Sequence, residues 1–248
     1  MSGVYVKGLR VAYDDKVIFE NFDIDFQEGG INVILGGSGV GKTTLLNALA
    51  GLVPYDGQVR GCEDGVSYIF QKDRLIPTIS VYKNLDLVLR NEIKDKHKRK
   101  EEIDKILALL EIDGEGKKLP TQLSGGQAQR AAMARAYLYP RKVLLLDEPF
   151  KALDTALKSR LLAKLVELNA REGRTVIFVT HAIDECLLCA DKFFVLSSNP
   201  VRVSLEGSIK SDKKSRRLND AESNEIRERL LEAIYEENEK LSDTPKNA

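Results

Sequence analysis

The chain is short of the residues on which secreted scaffolds and metal centres depend. Its three cysteines, Cys62, Cys186 and Cys189, cannot build a disulfide framework. Its only histidines are His97 and His181. The Cys186-x-x-Cys189 pair therefore lacks the further ligands a metal site needs. The expectation is two thiols on one helix, packed as small apolar groups in a reducing cytoplasm. A surplus of either charge is also missing. Lys plus Arg and Asp plus Glu number 38 each, for a formal net charge of zero. That balance argues against nucleic acid as a partner, because duplex binders carry a basic excess. Long hydrophobic runs are absent too. Val143 to Leu146 and Val176 to Val179 fall far below the roughly 18 residues of a membrane span. Met1 to Lys7 has neither the charged start nor the apolar core of an export signal. The chain alone is expected to be soluble, and no internal repeat is visible.

What is present is a chain of 248 residues, 43% hydrophobic, enough for one large domain or one with an inserted subdomain. Val4, Val6, Leu9, Val11 and Tyr13 alternate loosely. Val17 to Phe19 follow, and then Phe22, Ile24 and Phe26 in strict alternation with Asp23 and Asp25. Period-two alternation points to an antiparallel sheet with one polar face. Ile31 to Leu35 is nearly continuous apolar sequence, the mark of a strand buried on both faces. A glycine-rich turn, Gly36 to Gly41, and a helix, Lys42 to Ala50, come next. Val66 to Phe70 is a further short strand. From about Ser80 to Leu138 the spacing turns helical, and the charged run Lys94 to Lys105 reads as a solvated helix face. Strand and helix then alternate: strands at Val143 to Leu146, Thr175 to Thr180 and Phe193 to Leu196, helices at Asp154 to Glu172 and Ala182 to Ala190. The rhythm is that of a parallel sheet flanked by helices. In the charged tail, Ile226, Leu230, Leu231 and Ile234 predict an amphipathic helix, and Ser242 to Ala248 are expected to be disordered.

Gly36-Gly37-Ser38-Gly39-Val40-Gly41-Lys42-Thr43 fits G-x-x-x-x-G-K-S/T and lies between a buried strand and a helix. Glycines turn backbone N–H groups inward around an anion, and the helix start adds unpaired donors. The candidate phosphate cradle is Gly36, Gly37, Ser38, Gly39, Val40, Gly41, Lys42, Thr43 and Thr44. Lys42 would neutralise the β- and γ-phosphates of ATP, and Thr43 would hold Mg²⁺. Val143 to Glu148 delivers two carboxylates at a strand's C-terminal end, where ligands bind in open α/β sheets. Asp147 would support Mg²⁺, and Glu148 would polarise the attacking water. His181 follows the next apolar strand, at the same edge. Ser124-Gly125-Gly126-Gln127 precedes the predicted helix Ala128 to Leu138 and is a second glycine-marked helix start. Two phosphate-facing helix ends for one γ-phosphate are satisfied most simply by a head-to-tail pair of subunits.

Leu123-Ser124-Gly125-Gly126-Gln127 in this place resembles the signature of ABC ATPases, and the resemblance covers about Val4 to Val203. It implies that Tyr13 stacks on adenine, that Gln71 senses Mg²⁺ and the water, that Ala152-Leu153-Asp154 is the D-loop, and that His181 is the switch histidine. Catalytic roles fall to Glu148, His181 and Gln71, metal contacts to Thr43, Gln71 and Asp147, and partner-side nucleotide contacts to Ser124, Gly125, Gly126 and Gln127. Gly37 and Ala128 depart from the usual residues without removing a catalytic group.

The fold expected is α/β, a P-loop NTPase core with a mostly parallel sheet, an N-terminal antiparallel β subdomain and a helical subdomain inserted at about 78–138. Residues 1–207 would form the ATPase domain and 208–248 a charged helical extension. Three classes compete: importer motors, exporter motors, and ABC proteins of translation or repair. The single cassette, the short insert and the absence of membrane helices favour importers. Asp147 to Asp154 resembles their DEPFxALD form, and Phe70 to Asn84 resembles their Q-loop region, which receives the membrane subunit. Asp184-Glu185, Ala190-Asp191 and Leu196 to Pro200 resemble nitrate/sulfonate/taurine-type motors. The resemblance implies a second copy, permease subunits, an indirect solute-binding protein and a place on the cytoplasmic face of the membrane.

Overall fold

Residues 3–14, 16–151, 153–198 and 201–242 are described by the structure, a computed structural model. In chain order, β1 (Tyr5–Tyr13) and β2 (Lys16–Asp25) form a hairpin, followed by β3 (Ile31–Gly36) and α1 (Lys42–Leu49). Next come β4 (Asp56–Arg60) and β5 (Ser67–Ile69), then three helices, α2 (Val81–Leu89), α3 (Lys96–Leu109) and α4 (Gly125–Leu138). The chain returns to alternation with β6 (Val143–Asp147), α5 (Thr155–Glu172), β7 (Thr175–Val179), α6 (Ile183–Cys189) and β8 (Lys192–Ser197). It ends on β9 (Arg202–Ser208) and α7 (Ala221–Ser242).

The strands form two sheets. One is antiparallel in the order β2-β1-β4; the other runs β5-β6-β7-β3-β8-β9, parallel except for β9. In the large sheet β3, β6 and β7 are buried along their whole length. Successive side chains serve opposite faces, as a pleated strand requires. Val33, Leu35, Leu144, Leu146, Val176 and Phe178 pack with the long helices, whereas Ile34, Val143, Leu145, Ile177 and Val179 pack with α1 and the antiparallel sheet. A strand between two apolar layers has no polar face to write, which is why these read as continuous hydrophobic runs.

Several boundaries differ from expectation. The run at 17–19 and the run from Phe22 as far as Asp25 are one strand, interrupted where Asn21 takes a left-handed φ of 52° and the register with β1 shifts; Phe26 lies just past its end. β4 and β9 were not anticipated. α4 starts at Gly125, three residues before the predicted Ala128, because Ser124 caps it: its Oγ accepts from the Gln127 N–H while the Gln127 side chain accepts from the Ser124 N–H. Ser242 closes α7, so the helix enters the stretch expected to be disordered. Residues 243–248 of that stretch, Ala152 of the D-loop motif, and Asn199 and Pro200 lie outside the described residues.

Cys186 and Cys189 are fully buried on α6 within the core, and burial pushes both thiols up. Burial, with Glu63 beside it, also raises Cys62, to about 12. No helix among the described residues is long and apolar enough to cross a membrane.

The tail is fastened to α6. The Arg216 guanidinium, 8% exposed, donates to the carbonyls of Leu187, Ala190, Ile209 and Ser211 at 2.6–3.3 Å. Lys213 pairs with Asp191 at 2.5 Å and Arg227 with Asp184 at 2.6 Å. Arg216→Ala strips several buried carbonyls of a charged donor. We expect a loss of about 3 kcal/mol, read as a Tm lower by roughly 6–12 °C in thermal unfolding.

Candidate active site

The large sheet brings three strand ends side by side. Asp147 on β6 is in register with Val179 on β7, and Val179 with Ile34 on β3. The chain leaves each strand on the same edge, so the loop after Gly36, the pair Asp147-Glu148 and the pair Thr180-His181 meet there. Two backbone bonds stitch the exits together: Glu148 N–H to Val179 O at 3.0 Å and Thr180 N–H to Ile34 O at 3.1 Å.

The glycine loop is built for backbone. Gly36 has φ 147°, and a Cβ there would stand 2.7 Å from the Leu196 carbonyl. Gly41, at φ 109°, caps α1 without a side-chain hydrogen bond, leaving the helix's first N–H groups to an outside acceptor. Val40 turns its side chain into the core, 4% exposed. Lys42, the first residue of α1, is 8% exposed and donates from Nζ to the carbonyls of Gly36 at 2.8 Å and Gly37 at 2.7 Å. Burial lowers its pKa against the opposing pull of Glu148 and Asp147. The ammonium is thus pre-placed over the loop rather than free in solvent.

Thr43 Oγ1 donates to Asp147 Oδ2 at 2.9 Å, joining the loop to β6. Burial raises the Asp147 carboxyl from its ordinary value, although the Thr43 hydrogen bond pulls the other way. Glu148 takes a left-handed φ of 48°, strain of about 1–3 kcal/mol that aims its carboxylate back at the cleft. Oε2 accepts from Gln71 Nε2 at 3.2 Å and from Lys151 Nζ at 2.8 Å, and Oε1 lies 3.5 Å from His181 Nδ1. Burial works to raise Glu148, but the Lys151 hydrogen bond and charge, the Gln71 hydrogen bond and His181 outweigh it and hold the carboxyl low.

Lys42, Thr43, Gln71, Asp147 and Glu148 line a cleft of about 230 Å³ with Ile18, Ser38, Gly39, Gly41, Thr44 and Val179. A hydroxyl and a carboxylate 2.9 Å apart are hard oxygen donors of the kind Mg²⁺ selects. A lysine and a ring of N–H groups beside them suit a polyphosphate. Donor chemistry and cradle therefore fit Mg·ATP.

Of the residues expected to form the site, the cleft unites Ser38, Gly39, Gly41, Lys42, Thr43, Thr44, Gln71, Asp147 and Glu148. Gly36, Gly37 and Val40 of the loop do not line it, and His181, 63% exposed, meets it only through Nδ1, 3.5 Å from Glu148 Oε1. Tyr13 stands 44% exposed at the end of β1, outside the cleft lining. Ser124, Gly125, Gly126 and Gln127 sit at the start of α4 and likewise line no part of it. Lys151 was missed by sequence reasoning. Its signal is only a basic residue three positions after Glu148, in a turn closed by its own N–H to the Glu148 carbonyl at 3.3 Å.

The ABC transporter family model matches residues 19–151. The chain is 37% identical over 237 residues to an aliphatic sulfonates import ATP-binding protein of Rhodococcus jostii, covering 94% of this chain and 93% of that one. It is 34% identical over 254 residues to a taurine import ATP-binding protein of Shigella boydii, covering 96% and 99%. Among solved structures it resembles the dimeric structure of a bacterial ABC transporter cassette, with TM-score 0.76 and 26% identity over 84% of this chain and all of that one. The same cassette in a post-hydrolysis dimeric state bound to ADP and Pi gives a TM-score of 0.75. The chain belongs to the ABC transporter family, as an ATP-hydrolysing cassette of the importer type.

Proposed function

We propose that two copies of this chain close head to tail over two Mg·ATP, each offering Ser124, Gly125, Gly126 and Gln127 to the nucleotide held in the other's cleft. The observation that carries this reading is the separation just described. One subunit gathers Ser38, Gly39, Gly41, Lys42, Thr43 and Thr44 into a single cleft with Gln71, Asp147 and Glu148, whereas Ser124, Gly125, Gly126 and Gln127 at the start of α4 line no part of it. The Ser124 hydroxyl accepts from the Gln127 N–H and keeps its own proton to donate to an anion. Residues 78–138 act as the arm that presents this second helix start, and 208–248 as a helical extension of the ATPase domain formed by 1–207.

Mg²⁺, when bound, neutralises charge on the phosphates and polarises the terminal phosphorus. Thr43, Asp147 and Gln71 are the residues that would hold it. Lys42 binds the β- and γ-phosphates, and Tyr13 stacks on the adenine. Glu148 accepts a proton from the attacking water, which Gln71 orients. His181 contacts the terminal phosphate from the neighbouring strand end. Phosphoryl transfer asks mainly for positioning and charge, and each group stands on a rigid strand end or helix start.

The motor works beneath separate permease subunits on the cytoplasmic face of the membrane and serves an extracytoplasmic solute-binding protein indirectly. Likeness to sulfonate and taurine import proteins over nearly the whole chain supports a small sulfonate-like anion as cargo. Isolating the native complex from membranes and identifying its other subunits tests this. Permease subunits and a binding protein are expected; ribosomes or DNA in their place would favour a non-transport role, and an export partner an exporter motor.

A Ser124→Ala variant separates the two halves of the reading. Losing one hydrogen bond to a charged phosphate lowers turnover by roughly 10–100-fold. ATP affinity of the isolated subunit, measured by a fluorescent nucleotide, stays within about twofold, since Ser124 serves the partner's cleft. A weakened monomer affinity would place Ser124 in its own subunit's site and end the head-to-tail scheme.

A further inference from the structure

His181 has little to hold it directly. Its side chain is 63% exposed, and its ring lies 3.5 Å from Glu148. The ring therefore goes where the backbone of residues 180–182 sends it. That backbone is fixed by Thr180, 2% exposed. The Thr180 hydroxyl accepts from the Ala182 N–H at 3.1 Å and donates to Glu185 Oε2 at 2.6 Å. Glu185 is itself 6% exposed, in the first turn of α6. Its other oxygen, Oε1, takes the Lys158 ammonium at 2.9 Å. Lys158 belongs to the first turn of α5, where its N–H bonds the Asp154 carbonyl at 2.9 Å and Asp154 caps the helix through Leu157 N–H at 3.0 Å.

A buried carboxylate costs several kcal/mol unless it is paired and hydrogen-bonded. Here both oxygens are used, and in different directions. One grips the residue before His181; the other grips the helix that begins at Asp154, the end of the D-loop. A neutral residue of similar size would fill the same space. The charge adds a fixed distance between two loops that are 26 residues apart in sequence, Asp154 and Thr180.

We propose that Glu185 is a positioning residue that braces the loop carrying His181 against the start of α5, so that the histidine and the D-loop move as one unit. The proposal rests on the role given above to His181 at the terminal phosphate. When the two copies close, any shift of the first turn of α5 passes through Lys158 and Glu185 to Thr180, and so to the imidazole. The energetic link is a contiguous run of charge-assisted hydrogen bonds, partly shielded from water, rather than mere proximity.

The chain's two histidines make the test specific. In ¹H–¹³C spectra of the full-length protein, His97→Gln assigns the two ring signals. His97 lies on α3 and serves as the internal control. Thr180→Val keeps the shape and removes the hydroxyl, Thr180→Ser restores it, Glu185→Gln removes the charge, and Lys158→Met removes its partner. The expected result is that Thr180→Val, Glu185→Gln and Lys158→Met shift or broaden the His181 signals and leave His97 in place, while Thr180→Ser returns them. Turnover should follow, with kcat down about 10–100-fold in Thr180→Val and Glu185→Gln and KM for ATP within about twofold. Lys158 is 30% exposed, so its variant reports on the brace even where Glu185→Gln fails to fold. An unmoved His181 signal in Thr180→Val and Lys158→Met overturns the proposal, as does a Thr180→Ser variant as impaired as Thr180→Val. If His181→Ala keeps full turnover, the catalytic role of His181 falls, and the ring spectrum alone then decides the brace.

Discussion

Glu148→Gln brings ATP turnover down by about 10²–10⁴-fold, the usual worth of a positioned general base, and leaves ATP affinity within about twofold. The amide has the shape of the carboxylate and keeps one oxygen for the Lys151 ammonium and Gln71 amide now bound to Oε2. The strained backbone at φ 48° is also retained. What disappears is the ability to take a proton from water. Because Lys42 is bonded to Gly36 and Gly37 and Thr43 to Asp147, not to Glu148, binding and turnover come apart. The measurement is steady-state phosphate release beside nucleotide titration. The variant should also remain as a dimer in ATP during size exclusion, since closure goes forward and reopening does not. Unchanged phosphate release would remove Glu148 from the role and leave Gln71 or His181 to orient the water alone.

The parts of this molecule that were legible in sequence are those whose information is local. β3, β6 and β7 lie between two apolar layers, so apart from Asn32, Asp147 and Thr175 their sequences are apolar and cannot be mistaken for loop. The glycine loop was legible because only glycine tolerates φ 109° at Gly41 or the Leu196 carbonyl against Gly36. β4 was invisible: Asp56-Gly57-Gln58-Val59-Arg60 carries one aliphatic side chain and exists by backbone pairing with β1. β9 was lost for a similar reason, as an antiparallel edge strand with alternating exposure and a glycine in it. The early start of α4 was written in the spacing of Ser124 and Gln127, a capping box, but two glycines at its head disguised it.

At the site the same division holds. Residues whose role follows from the strand end they occupy, Asp147, Glu148 and His181, could be placed from spacing alone. Those whose hydrogen-bond partners lie in irregular backbone or on another element could not. Asn84 looks like an ordinary polar residue of α2. It is wholly buried, and its amide bonds both the N–H and the carbonyl of Ile76 and the carbonyls of Ile79 and Ser80, clamping the segment that leads from Gln71 into the helices. Glu185 looks like one more acid in a charged turn. Hydrogen bonds of this kind leave no period in a sequence.

Lys42→Met should abolish what Glu148→Gln spares. The methionine fills the volume of a side chain that is 8% exposed, so the fold is retained. The carbonyls of Gly36 and Gly37 lose their donor, and the loop loses its only buried ammonium. In the cleft, Asp147 and Glu148 would then meet a polyphosphate without the neighbouring cation that offsets their charge. Two hydrogen bonds from a charged donor are worth about 3–6 kcal/mol, which is roughly 10²–10⁴-fold in Kd. Like-charge repulsion adds to the loss. Nucleotide titration of Lys42→Met is therefore expected to show no saturable binding in the range where the parent chain saturates, with Tm in the absence of nucleotide lower by only a few degrees. ATP should no longer raise that Tm, because a ligand stabilises only the state it binds. The pair of variants divides the cleft by function. On the proposed roles Lys42 supplies the affinity and Glu148 the chemistry, and the double variant should bind as poorly as Lys42→Met alone. Saturable binding within about threefold of the parent would mean that the backbone N–H groups of the loop and of α1 hold the phosphates by themselves. The ammonium would then be a clasp for the empty loop, its two carbonyl bonds a matter of stability rather than of recognition.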